Sequence, residues 1–125
     1  MPGLTLDAGA LIGFERNDRR CIAILSRALS NARALVVPAG VIAQVWRDGR
    51  RQARLARLLA LDEIEIEPLD DLRARAAGQL CGITRTADVI DASVVLCARA
   101  RGHRIVTSDP GDLARLDPRI ALIVV

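Results

Sequence analysis

The sequence predicts an α/β fold, a three-layer α/β/α sandwich built on a mostly parallel sheet of about five strands. Three observations support this prediction. Short apolar runs of strand length alternate with segments of helical periodicity along the whole chain. No linker, internal repeat or low-complexity segment interrupts the alternation. With 125 residues and 51% apolar content, residues 1–125 are expected to form a single domain with its own core.

The first part of the chain is predicted to contain two strands and the helices that follow them. Leu4–Asp7 is a short apolar run, after which a small-residue turn leads into a helix. Arg20–Asn31 repeats apolar residues at helical spacing and is predicted as a second helix. Ala34–Val37 is the next strand, which a proline ends, and Ala39–Arg47 follows it as a helix.

The middle of the chain continues this alternation. An Asp-Gly pair breaks the preceding helix, and Arg51–Leu61 resumes helical periodicity with regularly spaced leucines. Glu63–Glu67 alternates acid with isoleucine, which is typical of a half-exposed edge strand. Asp70 or Asp71 can then cap a helix that ends near residue 82. Ala121–Val125 closes the chain as a last apolar strand.

The basic residues exclude several kinds of chemistry. The formal net charge is +3, and all 18 basic residues are arginine, so mechanisms that need a lysine are excluded. His103 is the only histidine and is predicted to lie in a solvated turn. A Ser-His-Asp arrangement or a histidine zinc site is therefore poorly supported. The chemistry has to come from carboxylates.

The cysteines and the hydropathy pattern indicate the cellular compartment. Cys21, Cys81 and Cys97 lie in apolar helical contexts without a paired spacing, and are expected to be buried, reduced thiols. No apolar run approaches the roughly 18–20 residues of a membrane span. No secretory signal is visible at the N-terminus. A cytoplasmic protein that does not contact a membrane is expected.

The stretch from Thr86 to Leu113 carries two Asp-x-x-Asp pairs. Asp88 and Asp91 begin a helical pattern, where residues three apart are neighbours. Asp109 and Asp112 follow the apolar run 104–107, a predicted strand, and so lie just past a strand's carboxyl end, where open α/β sheets bind ligands. Both pairs also resemble helix caps, and the two interpretations are compatible.

A third acidic segment lies at the end of the first strand. The carboxyl ends of parallel strands share one edge, so Asp7 is expected near Asp109 and Asp112. Topology alone does not place Asp88 and Asp91 there; the loop 82–87 would have to deliver them. Crowded carboxylates need a cation, and Mg²⁺ or Mn²⁺ suits oxygen ligands. Such ions can activate water for phosphodiester hydrolysis.

The chain resembles the PIN-domain ribonucleases, and most closely the VapC-type toxins of bacterial toxin–antitoxin pairs. The resemblance runs through LTLDAGALIGFER, then VVPAGVIAQVWR, then DVIDASVVLCARARGHRIVTSDPGDL, and so covers nearly the whole chain. It implies a PIN-like fold and a metal-dependent endoribonuclease that acts as a toxin. It also implies a homodimer and a cognate VapB-type antitoxin whose tail occupies the groove.

The resemblance also implies roles for the acids. Asp7, Asp91 and Asp109 match the family's metal-binding positions, Asp112 matches an acid often found three residues after the last of these, and Asp88 an additional acid of some members. All five are candidate catalytic residues. One position departs from the family pattern: this chain has Gln44 where the family usually has a glutamate. An amide is a weaker ligand or water-orienting group than a carboxylate, which leaves the number of bound metals open.

The segment WRDGRRQARLARLL places several arginines at near-helical spacing. This stripe, residues 47–57, could follow an RNA backbone toward the acids, with Arg47, Arg51 and Arg54 as candidate substrate-binding residues. An ordinary solvated helix face is equally consistent with the pattern. Trp46 is expected to pack in the core or in a dimer interface, since base-stacking surfaces normally use several aromatics.

Two rival functions are compatible with the residues. One is a PIN-fold binding module with weakened or lost catalysis, of which Gln44 would be the mark. The other is a phosphoacceptor receiver or a haloacid-dehalogenase-like phosphatase, each with an aspartate after its first strand. Both of those families use a lysine, which this chain lacks, and the second acid of the phosphatase motif is absent after Asp7.

Overall fold

The computed structural model describes residues 2–125, which form twelve elements. The strands and helices alternate as the sequence predicts. In chain order they are β1 (Leu4–Leu6), α1 (Ala8–Glu15), α2 (Arg19–Ser30), β2 (Leu35–Pro38), α3 (Ala39–Val45), α4 (Ala53–Leu59), β3 (Ile64–Glu67), α5 (Asp71–Thr84), α6 (Val89–Arg101), β4 (Arg104–Thr107), α7 (Pro110–Leu116) and β5 (Leu122–Val124).

The strands form one five-stranded sheet in the order β3-β2-β1-β4-β5. Every neighbouring pair is parallel, so the predicted mostly parallel sheet is confirmed and is in fact parallel throughout. The first strand lies at the centre, where Leu4 is opposite Leu35 of β2 and Thr5 is opposite Ile105 of β4. The carboxyl ends of β1, β2 and β4 therefore lie side by side along one edge.

Helices cover both faces of the sheet, as the predicted three-layer sandwich requires. On one face α1 contacts α2, α3 and α4, and on the other α6 contacts α5 and α7. Because both faces are covered, the central strands are apolar runs; Leu6, Val37 and Ile105 are fully buried. Each such side chain stabilises the fold by about 1.5–3 kcal/mol relative to exposure. No helix within residues 2–125 has the length and apolar character needed to cross a bilayer.

The predicted helices over Ala39–Arg47 and Arg51–Leu61 are longer than those observed. The segment between α3 and α4 is held by the side chain of Gln52 instead of by helical hydrogen bonds. Its Oε1 accepts from the backbone N–H of Arg47 at 2.7 Å and of Asp48 at 3.0 Å, and its Nε2 donates to the Val45 carbonyl at 2.8 Å. The stripe 47–57 is therefore not a continuous helix face.

The prediction for His103 was wrong. Gly102 ends α6 with φ 66°, and the chain turns inward, so that His103 is buried and its Nδ1 lies 3.1 Å from the Thr5 hydroxyl. Burial, together with the charge of Arg101, lowers the pKa of the imidazole. His103 is thus a structural residue between β1 and β4.

The edge position predicted for the strand near Glu63–Glu67 is confirmed, but its alternation of acid and isoleucine does not follow burial. Ile66 is 42% exposed, whereas Glu67 is only 9% exposed. The Glu67 carboxylate is buried because it is ion-paired with Arg73, at 2.7 Å, and with Arg101. The alternation predicts that Glu67 is exposed. Instead, two guanidiniums offset the charge of its carboxylate in a buried position.

The three cysteines are buried, whereas Trp46 is partly exposed. Cys21, Cys81 and Cys97 are buried free thiols, as predicted. Burial is the main cause that raises the pKa of Cys97 to about 12. Trp46 is 37% exposed, so it is not part of the monomer core, and its ring lies against Gly49.

Arg85 ends α5 in the left-handed region, with φ 57° and ψ 43°. Its N–H is bonded to the Cys81 carbonyl, as in a helix C-cap that normally carries glycine. An L-residue with a side chain pays roughly 1–2 kcal/mol for this conformation. The strain lies in the short loop between α5 and α6.

Candidate functional site

Five aspartates line a single cavity of about 480 Å³ at the carboxyl edge of the sheet. They come from three separate parts of the chain: the end of β1, the start of α6 and the start of α7. They are Asp7, Asp88, Asp91, Asp109 and Asp112. The structure thus brings together every acid that the sequence selects. We refer to this space as the acidic cavity.

Asp7 is the most buried of the five. It is 6% exposed, its N–H donates to the Val106 carbonyl of β4, and its Oδ1 accepts from the Ala10 N–H at 3.2 Å as the N-cap of α1. Burial raises the pKa of its carboxyl, against hydrogen bonds from Thr107, Ala10 and Gly9, and the charge of Asp109 raises it further. A buried carboxylate beside another acid is a group that a cation would stabilise.

Asp88 and Asp91 reach the cavity because α6 runs from the carboxyl edge of the sheet back to the start of β4. Asp88 is the N-cap of α6, and its Oδ1 accepts from the Asp91 N–H at 2.9 Å. Burial is the largest cause that raises the pKa of Asp91 to about 7, followed by the charges of Asp88 and Asp7. The surroundings of Asp91 therefore oppose its ionisation.

The packing of α3 against α6 closes this side of the cavity. A Cβ at Gly40 of α3 would lie 2.5 Å from the Ile90 Cδ1 of α6, so a larger residue would require the Ile90 side chain to move. Gln44, one helical turn further along α3, lines the cavity opposite the acids. The position that departs from the family pattern is therefore part of the cavity wall.

Asp109 and Asp112 lie at the start of α7. The Asp109 N–H donates to the Thr107 hydroxyl at 2.8 Å, which fixes the turn after β4. Among the described residues, the Asp109 side chain accepts no capping hydrogen bond from α7, unlike those of Asp7 and Asp88 in their helices. Capping accordingly accounts for Asp7 and Asp88, but it does not account for Asp109.

Only one of the three candidate arginines lines the acidic cavity. Arg47 does so, although its Nη1 also donates to the Trp46 carbonyl at 2.7 Å. Arg51 has a 90% exposed side chain next to Asp48, outside the cavity. Arg54 stacks on the Phe14 ring at 5.2 Å and donates to Asn17. Substrate binding by Arg51 and Arg54 stays a prediction that their positions do not favour.

The acids of the cavity fit a hard divalent ion by the chemistry of their donors, which are all oxygens. Within residues 2–125, no three carboxyl, imidazole or thiol groups are already grouped closely enough to hold an ion. The carboxylates thus line an open space, and side-chain rotation would be needed to complete a coordination shell. The pKa of Asp91 is raised first by burial and then by the charges of Asp88 and Asp7, and a bound cation would oppose both effects.

Sequence reasoning missed Thr107 and Ser108. Thr107 is fully buried at the end of β4, where its hydroxyl accepts from Asp109 and lowers the pKa of Asp7. Ser108 lines the acidic cavity. The signal that could have identified Thr107 is a hydroxyl residue at the end of β4, directly after the buried Ile105 and Val106.

Comparisons with known proteins agree with this fold. The family model described as "PIN domain" matches residues 4–117. VapBC2 from Rickettsia felis, solved with a DNA fragment from its promoter, has a TM-score of 0.73 at 15% identity, with 98% of each chain covered. A toxin–antitoxin complex from Klebsiella pneumoniae has a TM-score of 0.70 at 15% identity, covering 98% of this chain and 97% of that one. FitAcB from Neisseria gonorrhoeae has a TM-score of 0.67 at 17% identity, with 96% of each chain covered.

At these identities the solved structures show a shared fold. No curated protein sequence matches the chain significantly. The family model, by contrast, spans all elements from β1 to α7 and includes the three segments that supply the acids. By that match, the chain belongs to the PIN domain family.

Proposed function

We propose that this protein is a metal-dependent endoribonuclease that acts as the toxin of a toxin–antitoxin pair. The observation that carries the proposal is the meeting of Asp7, Asp91 and Asp109, from distant segments, in one cavity. Membership of the PIN domain family supports it, as do structural neighbours described as toxin–antitoxin complexes. The substrate would be RNA, and the reaction hydrolysis of a phosphodiester bond.

In this proposal Asp7, Asp91 and Asp109 hold Mg²⁺ or Mn²⁺, with Asp88 and Asp112 adding negative charge. The bound ion would activate water and offset charge on the phosphate. The chain's own residues would do the positioning. The Ala10 N–H holds Asp7 in place, and Asp88, by capping α6, holds the turn that presents Asp91.

The partners and the setting are also part of the proposal. Residues 1–125 would act as one domain, in the cytoplasm, as a homodimer with a VapB-type antitoxin. The solved structures with this fold include complexes described as VapBC2 and as a toxin–antitoxin complex. In such a pair the antitoxin would cover the acidic cavity until it is removed.

The first test is RNA cleavage by the full chain in the presence and absence of a divalent ion. We expect single-stranded RNA to be cut with Mg²⁺ or Mn²⁺ and to stay intact with EDTA. Mn²⁺ binding is measured in parallel by isothermal titration calorimetry. Intact RNA under all conditions, with Mn²⁺ still bound, would favour the silent binding module instead. An absence of Mn²⁺ binding at pH 8 would contradict the metal site itself.

Gln44 is the specific observation that favours the silent binding module, because an amide lines the cavity where the family resemblance implies a carboxylate. We expect Gln44→Glu to tighten Mn²⁺ binding about tenfold or more, since a unit charge about 4 Å from the ion adds several kcal/mol of attraction at intermediate dielectric. Gln79→Glu, the same change on the exposed surface of α5, is the matched control. Equal Mn²⁺ affinities for the two variants would remove Gln44 from the site.

A further inference from the structure

A second cavity, of about 400 Å³, lies directly beside the acidic cavity. The two share Asp88, Asp91 and Asp112 as a common wall. The second cavity adds two arginines, Arg85 from the end of α5 and Arg115 from the last turn of α7. We refer to it as the arginine pocket.

Within the described residues, both guanidiniums of the arginine pocket lack a carboxylate partner. Among residues 2–125, neither Arg85 nor Arg115 forms an ion pair within 4.0 Å, although the pocket contains three aspartates. Arg101, by contrast, is ion-paired with two glutamates. A guanidinium presents a planar set of donors that matches phosphate oxygens. The pocket therefore offers two uncommitted phosphate-binding groups next to the acids.

The turn after α5 holds Arg85 at the arginine pocket. This arginine stands in the left-handed region, where glycine would be unstrained, three residues before the Asp88 cap. The neighbouring hydroxyls of Thr84 and Thr86, 3.2 Å apart, line the same pocket. The strained turn thus places a cation among hydroxyl groups at the edge of the acidic cavity.

We propose that Arg85 and Arg115 bind the RNA phosphate adjacent to the one that is cut. This inference rests on the proposed function. A polyanion cannot approach five carboxylates without compensating charge, and the arginine pocket supplies it on the side of α5 and α7. The acids would act on one phosphodiester, while the two guanidiniums hold its neighbour and set the strand's direction across the site.

The experiment measures binding of a short fluorescein-labelled single-stranded RNA by anisotropy, over a series of salt concentrations. All variants carry Asp7→Asn so that the RNA stays intact, since Asp7 does not line the arginine pocket. We expect Arg85→Gly with Arg115→Gln to raise the Kd about 10- to 100-fold. The slope of log K against log salt should become shallower by about 0.7 for one lost phosphate contact.

The matched control is Arg75→Gln with Arg119→Gln, which removes the same charge from exposed positions outside both cavities. Arg85→Gly should leave the melting temperature unchanged or raise it, because glycine relieves the left-handed strain. Arg115→Gln alone, and Arg85→Lys with its charge kept but its planar fork lost, give intermediate effects if the proposal holds.

The outcomes separate this inference from the proposed function. RNA affinity and salt slope equal to those of the control, with the Asp7→Asn parent still binding RNA, would overturn the inference alone. An unchanged RNA affinity would also overturn it if Arg85→Gly with Arg115→Gln, made in the chain that keeps Asp7, changed Mn²⁺ affinity, because the arginines would then serve only to neutralise the acids. A parent that binds no RNA, together with an unmodified chain that cuts none, would overturn the proposed function and the inference with it.

Discussion

Asp7→Asn and Asp91→Asn are each expected to lower the metal-stimulated rate of RNA cleavage by at least about 100-fold. Losing a charged metal ligand removes several kcal/mol of transition-state stabilisation, and each 1.36 kcal/mol corresponds to a tenfold change in rate. Asparagine keeps the shape of the side chain. It also keeps the oxygen that accepts from the Ala10 N–H when Asp7 is replaced. The loss should therefore be one of chemistry and not of folding.

Asp70→Asn provides the control for this prediction. Asp70 is the N-cap of α5 and accepts from the Arg73 N–H at 2.8 Å, much as Asp88 accepts in α6, but it does not line the acidic cavity. Its cleavage rate should stay within about twofold of the unmodified chain, because asparagine caps a helix about as well as aspartate. Rates for Asp7→Asn and Asp91→Asn that remain metal-stimulated and close to the control would contradict the proposed site.

Asp91→Asn is expected to stabilise the metal-free protein at pH 8. The pKa of Asp91 is raised from 3.8 to about 7, chiefly by burial and then by Asp88 and Asp7. The folded state therefore holds this proton more tightly than the unfolded state does. The free energy of unfolding should fall as the pH rises through the interval from 3.8 to about 7, and then level off.

The neutral amide removes this loss of stability. With one pKa unit worth about 1.4 kcal/mol, and with a reduction for the partial exposure of the site, we expect a gain of about 1–3 kcal/mol at pH 8. The gain should vanish below pH 3.8, where the carboxyl is protonated in both states. Urea unfolding in EDTA at several pH values measures it.

Added Mn²⁺ should reverse the order of stability. In the proposed site the ion would bind only the folded carboxylates, so it should raise the free energy of unfolding of the unmodified chain more than that of Asp91→Asn. Asp70→Asn, measured in the same series, should follow the unmodified chain. A metal-free Asp91→Asn variant that is less stable at pH 8 than the unmodified chain would contradict the raised pKa of Asp91.

The general architecture was predictable because each layer leaves a local pattern in the sequence. Central strands of a parallel sheet are buried on both faces, so β1, β2 and β4 appear as apolar runs. The meeting of Asp7 with Asp109 followed from the same rule, since both come at the end of such a run. The parallel sheet therefore accounts for the position of two of the three segments of the site.

What could not be predicted depends on partners far apart in the chain. Glu67 is buried by Arg101, 34 positions later, and His103 by Thr5, 98 positions earlier. Neither pairing can be read from the neighbouring sequence, because the residues around Glu67 and around His103 have the pattern of an exposed segment. The position of Asp88 and Asp91 likewise depended on how closely α3 approaches α6 at Gly40.

The central place of β1 has a consequence for synthesis. Its partner β4 ends about a hundred residues later, so Asp7 and Asp109 cannot meet while the ribosome is still extending the middle of the chain. Contacts so distant in sequence form late, after most of the polypeptide has emerged. A product terminated before β4 would lack Asp109 and Asp112, two of the five aspartates, and could not complete the acidic cavity.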